Sequence, residues 1–528
     1  MSAPEGSFHH RGTGERTHVA APERLAPAAA DGSGWSGSEE ALPAPLALVV
    51  EFCARLQEAG VSYCHWKSND VLHLSASGDN DLDLLVDRRH LTRFTEVLAA
   101  CGFKQARPQR RRFVPGVLHF YGLDRATGRF VHVDAQAQLV LGDDTSKNVH
   151  LPIEPAYLAS CTQGPLFPVP APEFELAVLV LRLALKHGTW DAAAFGLAPL
   201  KGTERRELEY LHARSEPAEL RRVVETHLSQ IGWDAWRAHF EALHQERGLA
   251  TRLVTGRRVV SGASDLMRRR PALDTFTRVR RRVEWGVRHY ALGQRNTKRL
   301  MAGGRLIAIV GGDGAGKSTL VDNLADWLNG PLDTRVLHMG KPPRSAMNLA
   351  VKGALGVARG VGLVRRWLPN YPTAAEHRGQ FPGNAWLLWQ LVTASDRRRQ
   401  HRRARSLAAK GHIVVCDRFP LAQVTLMDGP RTGWVPVEGL SPLARRLVAA
   451  EQHQYAAITD PDLLLVLRVD PETAVARKQG VDPADFVRPR SAEVYAADWS
   501  TTTAQVLDAS RPAAEVLAEA QEAVWANL

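Results

Sequence analysis

Residues 309–320 read "IVGGDGAGKSTL", and this stretch decides the fold of the C-terminal half. Gly311, Gly316, Lys317 and Ser318 satisfy the spacing G-x-x-x-x-G-K-[ST], with Asp313, Gly314 and Ala315 inside the loop and Thr319 just after it. The glycines let the backbone curl until its N–H groups face a chain of phosphates. Lys317 can then reach the outer phosphates, and the Ser318 hydroxyl can ligate Mg²⁺, as the binding of ATP requires. The context agrees with the motif. An apolar strand, "RLIAIV", leads into the loop, and a helix with Leu320, Leu324 and Leu328 on one face leaves it. The positive end of that helix points at the phosphates.

Working outward, the apolar runs "TRVLHMG", "HIVVCDR", "DLLLVLRVD" and "AQVLDAS" follow at intervals filled by helical patterns. Five continuous apolar strands separated by helices predict a five-stranded parallel sheet with helices on both faces, an α/β domain over 301–528. Asp417 ends the third of these strands, where ligands bind in such sheets and where a carboxylate can complete a magnesium shell. Arg418 beside it can bridge donor and acceptor phosphates. Asp470 reads as an N-cap with Pro471 as first helical residue. The helix it starts carries Arg477 and Lys478, and Arg488 and Arg490 follow, a basic cluster suited to a lid over ATP.

Three features of this half resemble the thymidylate kinases within the P-loop nucleoside monophosphate kinase family: "DGAGKST" with its Asp313, the Asp-Arg-aromatic motif "CDRF", and "DPDLLLVLRVDPETAVARK". The resemblance implies a kinase using ATP and Mg²⁺, with Lys317, Asp417, Arg418 and Arg397 as catalytic residues, Ser318 and Asp417 at the metal, and Arg477 on the nucleotide. Arg397, in "TASDRRRQ", matches a family arginine that binds the acceptor. The acceptor side departs from the pattern. "HMGKPPRS" replaces the loop after the second strand, Thr393 stands where an aromatic stacks on thymine, and "PLAQVTLMDG" follows Phe419. An acceptor other than thymidine monophosphate is therefore expected, with Lys341 and Arg344 available to an anionic one.

The N-terminal half carries different chemistry. "SGDNDLDLLVDRR" sets Asp81 and Asp83 two apart at the head of an apolar run. Residues two apart on a strand share a face. Asp134, in "FVHVDAQ", can add a third carboxylate from another strand, and three convergent carboxylates bind divalent metal. With an amphipathic helix at 90–102 and two strands joined by "RATG", this α+β region over 43–165 resembles the nucleotidyltransferase superfamily. Ser68 in "HWKSND" stands at the serine of that family's Gly-Ser turn, while Lys67 replaces the glycine. The resemblance implies metal at Asp81, Asp83 and Asp134. Active transferase, nucleotide binder without turnover, and plain strand-edge carboxylates all remain open; His132 shares the face of Asp134.

Residues 1–42 are rich in Gly, Ser, Ala, Pro and charge and read as a disordered tail. Residues 166–300 read as helical, with "FELAVLVLRLALKHG" apolar nearly all round and so buried. The chain has 528 residues, enough for two or three cores. Its five cysteines are scattered without metal-ligand or disulfide spacing, which fits a cytoplasmic protein; no export signal and no membrane span is expected. The net charge of +11 points to anionic partners. A second reading makes the chain a nucleotide-switched regulatory or nucleic-acid-binding protein that uses the arginine-rich stretch 252–299. That stretch has few aromatics for base stacking. A third places "MNLAVKGALGVARGVGLVRRWL", from Met347, against a membrane surface. A small phosphorylated acceptor is the expected partner, and a homodimer is left open.

Overall fold

The computed structural model describes residues 43–528, apart from 109–113, 115, 144, 197–198, 292–296, 361–382, 434 and 436–437. The tail read over 1–42, and the end of the stretch from Met347 with Arg365 and Arg366, lie outside the described residues.

The chain first builds a mixed sheet. Helix α1 (Ala47–Glu58) leads to β1 (Tyr63–His65), the short α2 (Leu72–Ala76) to β2 (Leu82–Val86), and α3 (Leu91–Ala100) to β3 (Lys104–Arg107), β4 (Val117–Asp124) and β5 (Arg129–Gln136). The spatial order is β1-β2-β5-β4-β3, closed by a later strand, β10 (Arg299–Leu300). Strands β2 and β5 run parallel, with Asp83 opposite Asp134, and the other pairs are antiparallel. One face packs on α1 and α3 through Phe52, Leu56, Phe94 and Leu98, which are fully buried. Two small ladders follow, β6 (Leu139–Leu141) with β7 (Val149–Leu151) and β8 (Thr162–Gln163) with β9 (Pro168–Val169), on either side of α4 (Glu154–Ala159).

Helices α5 (Pro172–His187), α6 (Trp190–Ala194), α7 (Gly202–Arg214), α8 (Pro217–His227), α9 (Trp233–His244), α10 (Leu249–Gly262) and α11 (Pro271–Gly286) come next. The apolar girth of α5 has a plain cause. Leu176 through Leu181 are buried in one cluster that joins Cys64, Trp66 and Leu85 of the sheet side to Leu208, Val224 and Trp236 of the surrounding helices. A helix enclosed on all sides has no polar face to keep.

The second sheet comprises β11 (Leu306–Gly311), β12 (Thr334–His338), β13 (Ile413–Asp417), β14 (Leu463–Arg468) and β15 (Ala504–Asp508), in the order β12-β13-β11-β14-β15, parallel throughout. Helices α12 (Lys317–Asn329), α13 (Ala346–Gly360), α14 (Asn384–Ala409), α15 (Pro442–Ala456), α16 (Pro471–Arg477), α17 (Ala484–Ala496) and α18 (Ala513–Asn527) connect and cover it. Leu324, Leu328, Val524 and Trp525 fill one face, and Ala404, Ala408 and Trp499 the other. Among the described residues no helix is long and apolar enough to cross a membrane.

Candidate functional site

The loop 311–318 links β11 to α12, and its glycines are demanded by geometry. Gly314 and Gly316 have φ of +86° and +88°, which side chains with a Cβ rarely adopt. A Cβ at Gly314 would also lie 2.6 Å from the Ala474 carbonyl oxygen, and one at Gly312 would strike Ser491. Lys317 is buried and donates to the Gly312 carbonyl at 2.6 Å, so it spans the loop it belongs to. Burial, with Arg418 nearby, pushes its ammonium down to about 8. Ser318 and Thr319 are exposed at the start of α12.

Asp313 faces two guanidinium groups, Arg418 Nη2 at 3.3 Å and Arg490 Nη1 at 3.1 Å. The Ser491 hydroxyl donates to its backbone carbonyl at 2.9 Å. Burial alone would raise the Asp313 carboxyl, but Lys317, Arg418 and Arg490 hold it below the usual range. Asp417 lies at the end of β13, beside β11, with Ile309 as its register partner. Its Oδ2 is 3.6 Å from His338 Nε2, while its Oδ1 is buried without a hydrogen-bond partner. Arg418, next in the chain, has φ of +61°. A bulky residue in that region is strained, and such strain is concentrated at functional sites.

Arg397 projects from α14 into the same end of the sheet. It donates to the Asp428 carbonyl (2.7 Å), the Asp428 carboxylate (3.0 Å), the Tyr455 hydroxyl (2.6 Å) and the Gly340 carbonyl (3.3 Å). Asp428 is also 4.0 Å from Arg418. Asp428, Tyr455 and His338 were not foreseen from sequence. For Asp428 a signal existed, an acid inside the altered run "PLAQVTLMDG".

Three sequence expectations need correction. Arg477, expected on the nucleotide, donates instead to the Ala509 carbonyl at 2.9 Å, because it closes the last turn of α16 beside the end of β15. Arg488 pairs with Glu472 at the surface (2.7 Å). Of the basic cluster after β14, Arg490 is the member seen at the loop. The trio Asp81, Asp83 and Asp134 does not converge. Asp81 lies just outside β2 and meets His132 Nδ1 at 2.7 Å, and Asp83 holds Lys67 Nζ at 2.8 Å. Asp134 is half-buried, with a buried Oδ1 that has no hydrogen-bond partner, its carboxyl raised by burial and by Asp83. Among the described residues no three His, Cys, Asp or Glu side chains are grouped to hold a metal ion. Ser68 has φ of +60°, and its N–H donates to Glu207 Oε1 at 2.9 Å.

The second sheet and its loop define a P-loop α/β protein. No family model matches the chain. It is 32% identical over 231 residues to the uncharacterized ATP-binding protein YghR of Escherichia coli K12, covering 42% of this chain and 86% of that protein. It is 30% identical over 175 residues to a thymidylate kinase of Jannaschia sp. CCS1, covering 32% and 67%. A solved thymidylate kinase from Candida albicans is similar at 16% identity over 43% of this chain and 92% of its own, with a TM-score of 0.29. Over the matched part, the chain belongs to the family of P-loop ATP-binding proteins that includes YghR.

Proposed function

We propose that this chain transfers the γ-phosphoryl group of ATP to a phosphorylated small acceptor. The observation that carries this reading is one constellation at the carboxyl end of the second sheet. Lys317 opens the helix that follows β11, Asp417 ends the neighbouring strand β13, Arg418 lies between Asp313 and Asp428, and Arg397 is fixed by Asp428 and Tyr455. Ser318 and Asp417 fit a divalent cation, since the Asp417 Oδ1 is buried without a partner and the Ser318 hydroxyl is exposed at the loop. Bound there, Mg²⁺ would neutralise phosphate charge. The loop N–H groups and Lys317 hold the outer phosphates. Arg418 and Arg490 swing from Asp313 to the transferring group as its charge develops. Arg397, held by groups on three sides, positions the acceptor phosphate.

Thymidine monophosphate does not suit this pocket. The Thr393 hydroxyl bonds back to the Trp389 carbonyl (2.9 Å) and offers no stacking face. Phosphorylated sugars and other monophosphates are the better candidates, with exposed Lys341 and Arg344 beside the site. The nucleic-acid reading loses ground, because Arg278 and Arg282 of the arginine-rich stretch are spent on Asp191, Asp274 and Asp143 within the fold.

The test is ATP consumption by the full chain against a panel of monophosphates and sugar phosphates. Lys317→Ala should lower turnover about 100-fold or more, the scale of losing one preorganised charge at a transition state. Equal turnover in mutant and parent would refute the reading. Thymidine monophosphate turned over above every other acceptor would refute the acceptor assignment alone.

A further inference from the structure

The turn after β1 and the helices α5 and α7 enclose a separate cavity of about 600 Å³. That volume lies in the range of sites for nucleotide-sized ligands. Its lining is unusual in charge. Lys67, Lys147, Arg182, Lys186, Lys201 and Arg206 line it, against four acids, Asp70, Asp81, Glu204 and Glu207. The excess is positive, and an anion entering the cavity would balance it.

The internal contacts show how this charge is organised. Asp83 anchors Lys67 at 2.8 Å, and both Lys67 and Arg182 lie over the ring of buried Trp66, at 5.5 and 5.4 Å from its centroid. The Trp66 indole N–H has no hydrogen-bond partner in the cavity wall. Glu207 already accepts the N–H of Ser68, and Arg182 holds it at 3.3 Å. Recognition of an anion therefore falls to side-chain cations, several of them supplied by the middle helices rather than by the sheet. Divalent metal has no prepared place here. Asp83 is engaged by Lys67 and Asp81 by His132, and among the described residues no metal-binding group is found.

We propose that this cavity binds a phosphorylated small molecule without a divalent metal, with Lys67 supplying from within the chain the positive charge that a metal ion would bring. A lysine ammonium is a compact point charge and suits this part. The ligand seats against Lys67 and Arg182, and the exposed Lys201 and Arg206 form the mouth through which it enters.

The probe is inorganic tripolyphosphate, titrated by calorimetry in EDTA into the full chain carrying Lys317→Ala, which weakens the loop site. One binding event is expected, with an affinity that falls as salt rises. Lys201→Glu with Arg206→Glu should weaken it about tenfold or more, by replacing charge-assisted contacts with repulsion. Both positions are exposed, so folding is not at stake; Lys67→Met adds a test of the floor of the cavity. Absence of binding in EDTA, binding that appears only with Mn²⁺, or binding indifferent to the double mutation would each overturn the proposal. None of these results bears on the phosphotransferase reading, which is tested with Lys317 intact.

Discussion

Glu175 shows how one buried side chain makes stability depend on pH. It sits in the first turn of α5, buried, and accepts from the Asn69 side chain at 2.8 Å and from its backbone N–H at 3.4 Å. Burial pushes its carboxyl up to about 8, and the nearby Glu207 adds to this, while the Asn69 contacts oppose it. The folded chain thus keeps a proton that the unfolded chain releases above an ordinary carboxylate pKa near 4.5. Wherever the folded state binds more protons, stability falls as pH rises. The contribution of Glu175 is complete below about pH 4.5 and is lost progressively up to about 8. Glu175→Gln, which keeps a neutral acceptor for Asn69, should flatten the stability profile between pH 5 and 8 by on the order of a few kcal/mol. Denaturant unfolding of both proteins across that interval gives the answer. Parallel curves would mean that the carboxyl titrates normally.

At the scale of elements, the strands were legible because parallel strands buried on both faces read as unbroken apolar runs; "RLIAIVG", "HIVVCDR" and "DLLLVLRVD" became β11, β13 and β14. The cap at Asp470 was legible too, and its side chain accepts from the Thr473 N–H at 3.0 Å. The bearings of charged side chains were not. Arg477 and Arg490 belong to the same basic cluster, yet only tertiary packing decides that one meets a carbonyl and the other Asp313. Asp81 failed for a related reason: it reaches the face of His132 and Asp134, as alternation implies, but there its carboxylate is taken up by His132, a tertiary partner that strand spacing does not name. Equally hidden was the close crossing of α5 and α10. A Cβ on Gly256 would lie 2.9 Å from the Gly188 Cα and 3.1 Å from His239 Cε1. Gly256→Ala gains up to about 1 kcal/mol of helix propensity. It also drives a methyl into backbone that cannot yield, a cost of about 1–3 kcal/mol. A net loss of stability is expected in thermal melts, whereas Gly202→Ala, with nothing within 4 Å, should not share it. A stabilised Gly256→Ala would show that the two helices separate freely.

Across the described molecule, the two sheets are not independent bodies. Strand β10 pairs with β3 of the first sheet just before the chain enters the second, and Asp333 of the second half returns a backbone N–H to the Lys298 carbonyl at 2.8 Å. Phe130 of β5 stacks on Trp327 of α12 with centroids 4.7 Å apart and meets Trp525 of α18 edge-on at 5.2 Å. Both indoles donate back across the junction, Trp327 to the Gly128 carbonyl at 3.1 Å and Trp525 to that of Gly102 at 3.2 Å. Tyr121 and Leu123 of the first sheet share one buried cluster with Leu324 and Val524 of the second half. A junction this apolar couples the unfolding of the two halves, so the parent should melt in one calorimetric transition that ATP with Mg²⁺ raises as a whole. Phe130→Ala removes the ring common to both indoles. Truncating a fully buried Phe costs about 3–5 kcal/mol, and this half-buried one should cost less, but the loss falls on the coupling itself. Two transitions are expected in the variant, with only one responding to the nucleotide. A single transition, lower in temperature but still shifted in full by ATP, would show that the ladder between β3 and β10, the two indole hydrogen bonds and the shared buried cluster hold the halves together without the Phe130 ring.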